Sequence, residues 1–145
     1  KLLAKADTDI VWFDGVHLCE GESAFAFADK PAGEGVWADY FATSTIVGWT
    51  TPTGTIYAKK IGKTVFVSYN ITGTSNSATT SFTVPYSVAS NLYWIHSAVD
   101  NTQAAVVAVG SIATNVVALY KDMSSATWTA SGTKTISGQC FYESA

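Results

Sequence analysis

Aromatic rings are the chemistry this chain carries most of: Trp12, Trp37, Trp49, Trp94 and Trp128, with Tyr40, Tyr57 and Tyr93 among seven tyrosines. A sugar ring stacks its C–H face on such rings while Asn, Asp and Thr serve its hydroxyls. A site of that kind needs no metal, no cofactor and no shifted pKa. Trp37, Tyr40 and Trp49 lie near expected loops, whereas Trp12 and Trp128 sit in strand-like runs and read as core. In the run Leu92-Tyr93-Trp94-Ile95-His96 a two-residue period puts Trp94 and His96 on one face, and Asp100-Asn101 follow as a turn. The ligand-binding candidates are therefore Trp37, Tyr40, Trp49, Trp94, His96, Asp100 and Asn101, and no catalytic residue is assigned.

Catalysis has little to work with. The two histidines, His17 and His96, are far apart, and Ser97, His96 and Asp100 make a triad only on paper, without the Gly-x-Ser-x-Gly turn that would expose a nucleophile. Asp7-Thr8-Asp9 and Glu20-Gly21-Glu22 read as solvated turns, and no His, Cys or carboxylate spacing suits a metal. Neither a metal nor a cofactor is expected. Asn70-Ile71-Thr72 fits a glycosylation acceptor but reads as chance at a strand end. Cys19 and Cys140 leave two readings open, a disulfide near the two chain ends or two separate buried thiols.

At 145 residues the chain suits one domain, with 48% hydrophobic and only 13% charged residues. Ser and Thr supply roughly a quarter of the chain, a bias towards strands and turns. All eight basic residues are lysines, scattered in a chain of net charge −3 and pI near 5.1, so nucleic acid is not an expected partner. No apolar run approaches a bilayer span. A surface so poor in charge suggests cover by another copy of the chain.

The most regular stretch runs from Gly48 to Ile71. Strands over 55–60 and 63–71 meet at Lys60-Ile61-Gly62-Lys63, where Gly62 supplies a positive φ. Val65, Val67, Tyr69 and Ile71 make one apolar face, and Phe66, Ser68 and Asn70 a mixed one. Further strands are expected at 10–13, 16–19, 23–28, 79–84, 91–99, 104–109, 115–120, 125–130 and 134–141, while 36–47 reads as loop or short irregular strand. Ala104–Val109 and Val116–Leu119 are apolar on both faces, so both faces need cover. Short strands at this spacing predict an all-β, antiparallel, jelly-roll-like β-sandwich.

The segment Gly54-Thr55-Ile56-Tyr57-Ala58-Lys59-Lys60-Ile61-Gly62-Lys63-Thr64-Val65-Phe66-Val67-Ser68-Tyr69 resembles a pattern in C-terminal domains of bacteriophage tail fibres and tailspikes. There a Gly-x-x-Tyr strand, a Lys-Ile-Gly-Lys turn and a Val-x-Val strand precede a Ser/Thr-rich turn and a strand ending in Pro, matched here by Ser75 to Pro85. The likeness is sharp over about residues 48–86 and architectural elsewhere. It implies a homotrimeric tip domain over 10–145, with 1–9 as the lead-in from a longer fibre starting before Lys1. Such a tip is extracellular, part of a virion tail fibre or a fibre-like appendage. It would recognise a bacterial surface glycan or protein without catalysis and without inserting into a membrane. A purely structural trimerisation cap is the alternative, and a glycan-cleaving tailspike fragment the weaker one.

Overall fold

The computed structural model describes residues 35–145, which fall within one compact unit. The expectations placed on Trp12, His17, Cys19, the lead-in and the strands up to residue 28 lie outside the described residues. Among the described residues every regular element is a strand: β1 (Ala38–Asp39), β2 (Ile46–Val47), β3 (Thr53–Ile61), β4 (Thr64–Thr74), β5 (Ser81–Thr83), β6 (Leu92–Asp100), β7 (Val106–Ala113), β8 (Val116–Leu119) and β9 (Thr133–Glu143). They form one nine-stranded antiparallel sheet in the order β1-β3-β4-β9-β6-β7-β8-β5-β2. The domain is all-β.

The β3–β4 hairpin turns at Gly62-Lys63, with Ile61 opposite Thr64 and Gly62 at φ 57°, as the turn chemistry requires. β9 then enters between β4 and β6, pairing along its whole length with β4 but with β6 only from Ser137 back to Lys134. Alternation sorts each strand into an inward and an outward set. Val65, Val67, Tyr69 and Ile71 of β4 are buried together with Ile136 and Cys140 of β9, Ala108 and Ile112 of β7, and Val117 and Leu119 of β8. The sheet curls into a half-barrel around that set. Tyr69 of β4 and Phe82 of β5, with four strands between them in the order, meet with ring centroids 5.1 Å apart.

Both ends of the sheet are two-residue strands. Beyond β1 the flank of β3 is dressed by backbone bonds from the Gly35 amide to the Lys60 carbonyl and from the Tyr40 amide to the Ile56 carbonyl. Asp39 Oδ1 accepts the Phe41 amide and turns the chain away. The region 36–47 thus holds two short strands around a turn, in line with its irregular pattern.

The strand expected at 125–130 does not form. Asp122 Oδ1 accepts the Ser124 and Ala126 amides, Ser125 takes φ 60°, and the segment becomes a loop. Its aromatic residue is nevertheless core. Trp128 is buried, its Nε1 donates to the Leu119 carbonyl at 2.8 Å, and its amide donates to the Ala78 carbonyl. An anchored tryptophan in a loop carries the same local signature as one in a strand.

Candidate functional site

Two clusters stand out, one inside the curl and one on its outer surface. Inside, Lys134 is 0% exposed. Its Nζ donates to Thr80 Oγ1 at 2.6 Å and to the Ser77 carbonyl at 3.2 Å, and lies 4.9 Å and 5.2 Å from the ring centroids of Trp49 and Trp128. Trp49 Nε1 donates to the Lys134 carbonyl. Asp100, opposite Lys134 in the ladder, accepts the Thr129 amide and hydroxyl and pairs with Lys121 at 3.4 Å. Burial pushes the Lys134 ammonium down to about 8, with Asp100 opposing.

The buried titratable groups give a pH signature. Lys134 in the fold releases its proton near pH 8, while the unfolded chain holds it to about 10.5, so in that window unfolding takes up a proton and stability rises with pH. Cys140, a buried free thiol, is pushed up to about 12 by burial from 9.0, so above pH 9 unfolding releases a proton and stability falls. Burial also raises the Tyr69 and Tyr142 phenols above 10.0, steepening that fall. Denaturant midpoints across this range are expected to peak near pH 9, and Lys134→Met to abolish the rise from pH 8 while keeping the fall. A midpoint that declines steadily from pH 7 upward would contradict this.

His96 is buried on the inner face beside Trp94. Nδ1 lies 3.1 Å from the Ser97 carbonyl oxygen and Nε2 3.2 Å from that of Val109, so a neutral ring donates to one of the two at a time. Burial lowers its pKa, with the carbonyls opposing. Trp94 Nε1 donates to the Tyr69 hydroxyl at 2.9 Å. Gly138 makes this packing possible, because a Cβ there would press on the Tyr69 hydroxyl and on His96 Cβ.

The outer surface has a different character. Register aligns Lys59, Phe66 and Phe141 in one cross-strand row. Trp37 sits beside Lys59, whose Nζ lies 4.8 Å from the Trp37 ring centroid and 5.3 Å from that of Phe66, and Phe66 and Phe141 have centroids 6.4 Å apart. The next row holds Tyr57, Ser68 and Gln139, and the one after it Thr55, Asn70, Ser137 and Ser97. Phe141 is 69% exposed, Tyr93 71% and Ile95 63%. Because β6 and β9 stop pairing at Ser97 and Ser137, the strands part beyond that point. A hollow of about 410 Å³ opens there, lined by Ile95, His96, Ser97, Val107, Ser137 and Gly138 among others. Beyond Ser97, β7 and β8 turn an aliphatic side outward, with Val107 58% exposed and Val116 also exposed. Their inward partners Ala108, Val117 and Leu119 are buried, so the curl covers one face of these strands and leaves the other open.

The seven expected site residues do not share one surface. Trp49, His96 and Asp100 are buried and point inward, where solvent does not reach them, and Trp94 is half-buried on the same side. Tyr40 is half-buried beside Tyr86, and that contact, then burial, raises its phenol pKa. Trp37 and Asn101 are exposed, Asn101 in the turn after β6 at φ 59°. Ser97 faces out and His96 in, so the paper triad is divided between faces. Phe66, Asn70, Gln139 and Phe141 were not singled out by sequence reasoning. The alternation of Phe66, Ser68 and Asn70 is the signal that points to this face.

Among the described residues no three His, Cys, Asp or Glu side chains gather to hold a metal ion, and no helix is long and apolar enough to cross a membrane. Comparison with family models, curated proteins and solved structures yields no match.

Proposed function

We propose that the chain is the receptor-binding tip of a phage-like tail fibre, an extracellular adhesin domain that recognises a cell-surface glycan or protein without chemical turnover. The observation that carries this reading is the outer surface of β4 and β9, where Phe66 and Phe141 border rows of Ser, Asn and Gln side chains. The exposed Phe141 ring, backed by half-buried Phe66, beside neutral polar groups suits a sugar, with stacking on one side and hydroxyl bonding on the other. The Lys60-Ile61-Gly62-Lys63 hairpin that resembles fibre tips forms the rim of this surface. On this reading the curled sheet works as a jelly-roll-like sandwich.

The homotrimer belongs to the same proposal. Val107 and Val116 present the open aliphatic side of β7 and β8, the kind of surface that an obligate subunit contact covers. Light scattering on the purified chain is expected to give the mass of three copies, and Val107→Asp to give single copies that stay folded, since Val107 points away from the core. A wild-type monomer at micromolar concentration would rule out the trimer. A glycan array and cell-attachment assays test recognition.

The bare aliphatic side also favours a second reading, in which trimerisation is the whole function. Phe141→Ala separates the two. Lost cell attachment with an intact trimer supports recognition, and unchanged attachment together with an array that captures nothing supports the structural cap.

A further inference from the structure

We infer that the ligand of the β4–β9 outer surface is an uncharged saccharide, an inference that rests on the glycan reading above and specifies its chemistry. Among the described residues, the side chains on this face that carry charge at neutral pH stand at its rim. Asp39 and Lys59 lie at the β1–β3 flank, and Glu143 lies at the far end of β9, where Lys63 Nζ pairs with it at 3.8 Å. Lys59 is already engaged between the rings of Trp37 and Phe66.

Between these rims three successive cross-strand rows of β4 and β9 hold neutral polar groups alone: Ser68 with Gln139, Asn70 with Ser137, and Thr72 with Thr135. The Thr72 and Thr135 hydroxyls bond each other at 2.7 Å, which fixes that end of the face. An anionic glycan brought here would lose its hydration without meeting a cation, and a cationic one would meet no carboxylate. Hydroxyls and carboxamides both donate and accept, as sugar hydroxyls do, so each polar group of a neutral saccharide finds a partner in either sense.

The geometry fits the same class. Rows on one face recur every second residue, roughly 6.8 Å apart, and strands lie about 4.8 Å apart, so the Phe66–Phe141 row and the Gln139 row are adjacent. A ring stacked on Phe141 therefore sets its edge over Gln139, and the next sugar of a chain reaches the Asn70–Ser137 row, roughly 13.6 Å from Phe141.

The test immobilises the full chain and offers neutral polymers (dextran, mannan, galactan) and acidic ones (alginate, polysialic acid) at low and high salt. Capture of a neutral polymer with affinity unchanged within about twofold between the two salts is expected, because no ion pair is screened. Phe141→Ala, at an exposed position, is expected to lower that affinity about tenfold with an unchanged melting temperature. Preference for an acidic polymer, weakened by salt, overturns the uncharged class while the glycan reading stands. Neutral binding indifferent to Phe141→Ala overturns the assignment to this face. Capture of neither class defeats the glycan reading and this inference with it.

Discussion

Lys134→Ala is expected to destabilise the domain by about 3–5 kcal/mol, a large share of the ~5–15 kcal/mol typical of a domain. Lys134 is fully enclosed, with its ammonium near the Trp49 and Trp128 rings, so truncation leaves a cavity that the two indole rings close only in part. Thr80 Oγ1 and the Ser77 carbonyl lose their donor, and Asp100 loses a neighbouring positive charge, keeping Thr129 and Lys121. Lys134→Met restores most of the volume and removes the cost of burying an ammonium, so its expected loss is smaller, about 1–2 kcal/mol. Urea denaturation of the three proteins measures both values. An alanine variant within about 1 kcal/mol of the parent would show that the cation is a passenger and not a pillar of the core.

Gly54→Ala is the second large effect, expected at about 3 kcal/mol or more. Gly54 lies within β3 opposite Ile71 at φ 141°, a conformation L side chains rarely adopt. A Cβ there would run into the Asn70 carbonyl oxygen and come within 3.0 Å of Ile71 Cα, both of them backbone atoms of β4 that cannot swing aside. The β3–β4 ladder would have to open. Gly62→Ala is the matched control: its φ of 57° is also positive, but an added Cβ would meet nothing within 4 Å, so about 1 kcal/mol is expected. Comparable melting temperatures for the two variants would refute the close-approach argument.

The hairpin was legible in the sequence because everything that makes it is local: alternation on both sides and a glycine where the turn needs positive φ. The all-β class followed from the same short-range signals. What could not be read is register between distant segments. Gln139 neighbours Ser68, and Phe141 neighbours Phe66, only because β9 pairs with a strand some seventy residues earlier, and no local pattern encodes that. Trp49 illustrates the converse. Its flanking Gly and Thr residues read as loop, and it does stand outside the named strands, yet its indole reaches Lys134 and is buried. Loop position and solvent exposure are separate properties. For Lys134 the single available sign was parity: it lies two residues from Ile136 in a strand, so it shares the inward face.

The two-residue strands at the extremities of the sheet bear on how copies can meet. A long naked margin invites another chain to add on in register, and such addition has no natural stopping point. Here one margin ends at Asp39, where the backbone veers off, and the other at Val47, with little ladder to extend. In the trimer proposed above, contact would therefore use the broad surfaces of the sheet and not its margins, so that closure about a three-fold axis would end recruitment where edge-to-edge pairing would continue it.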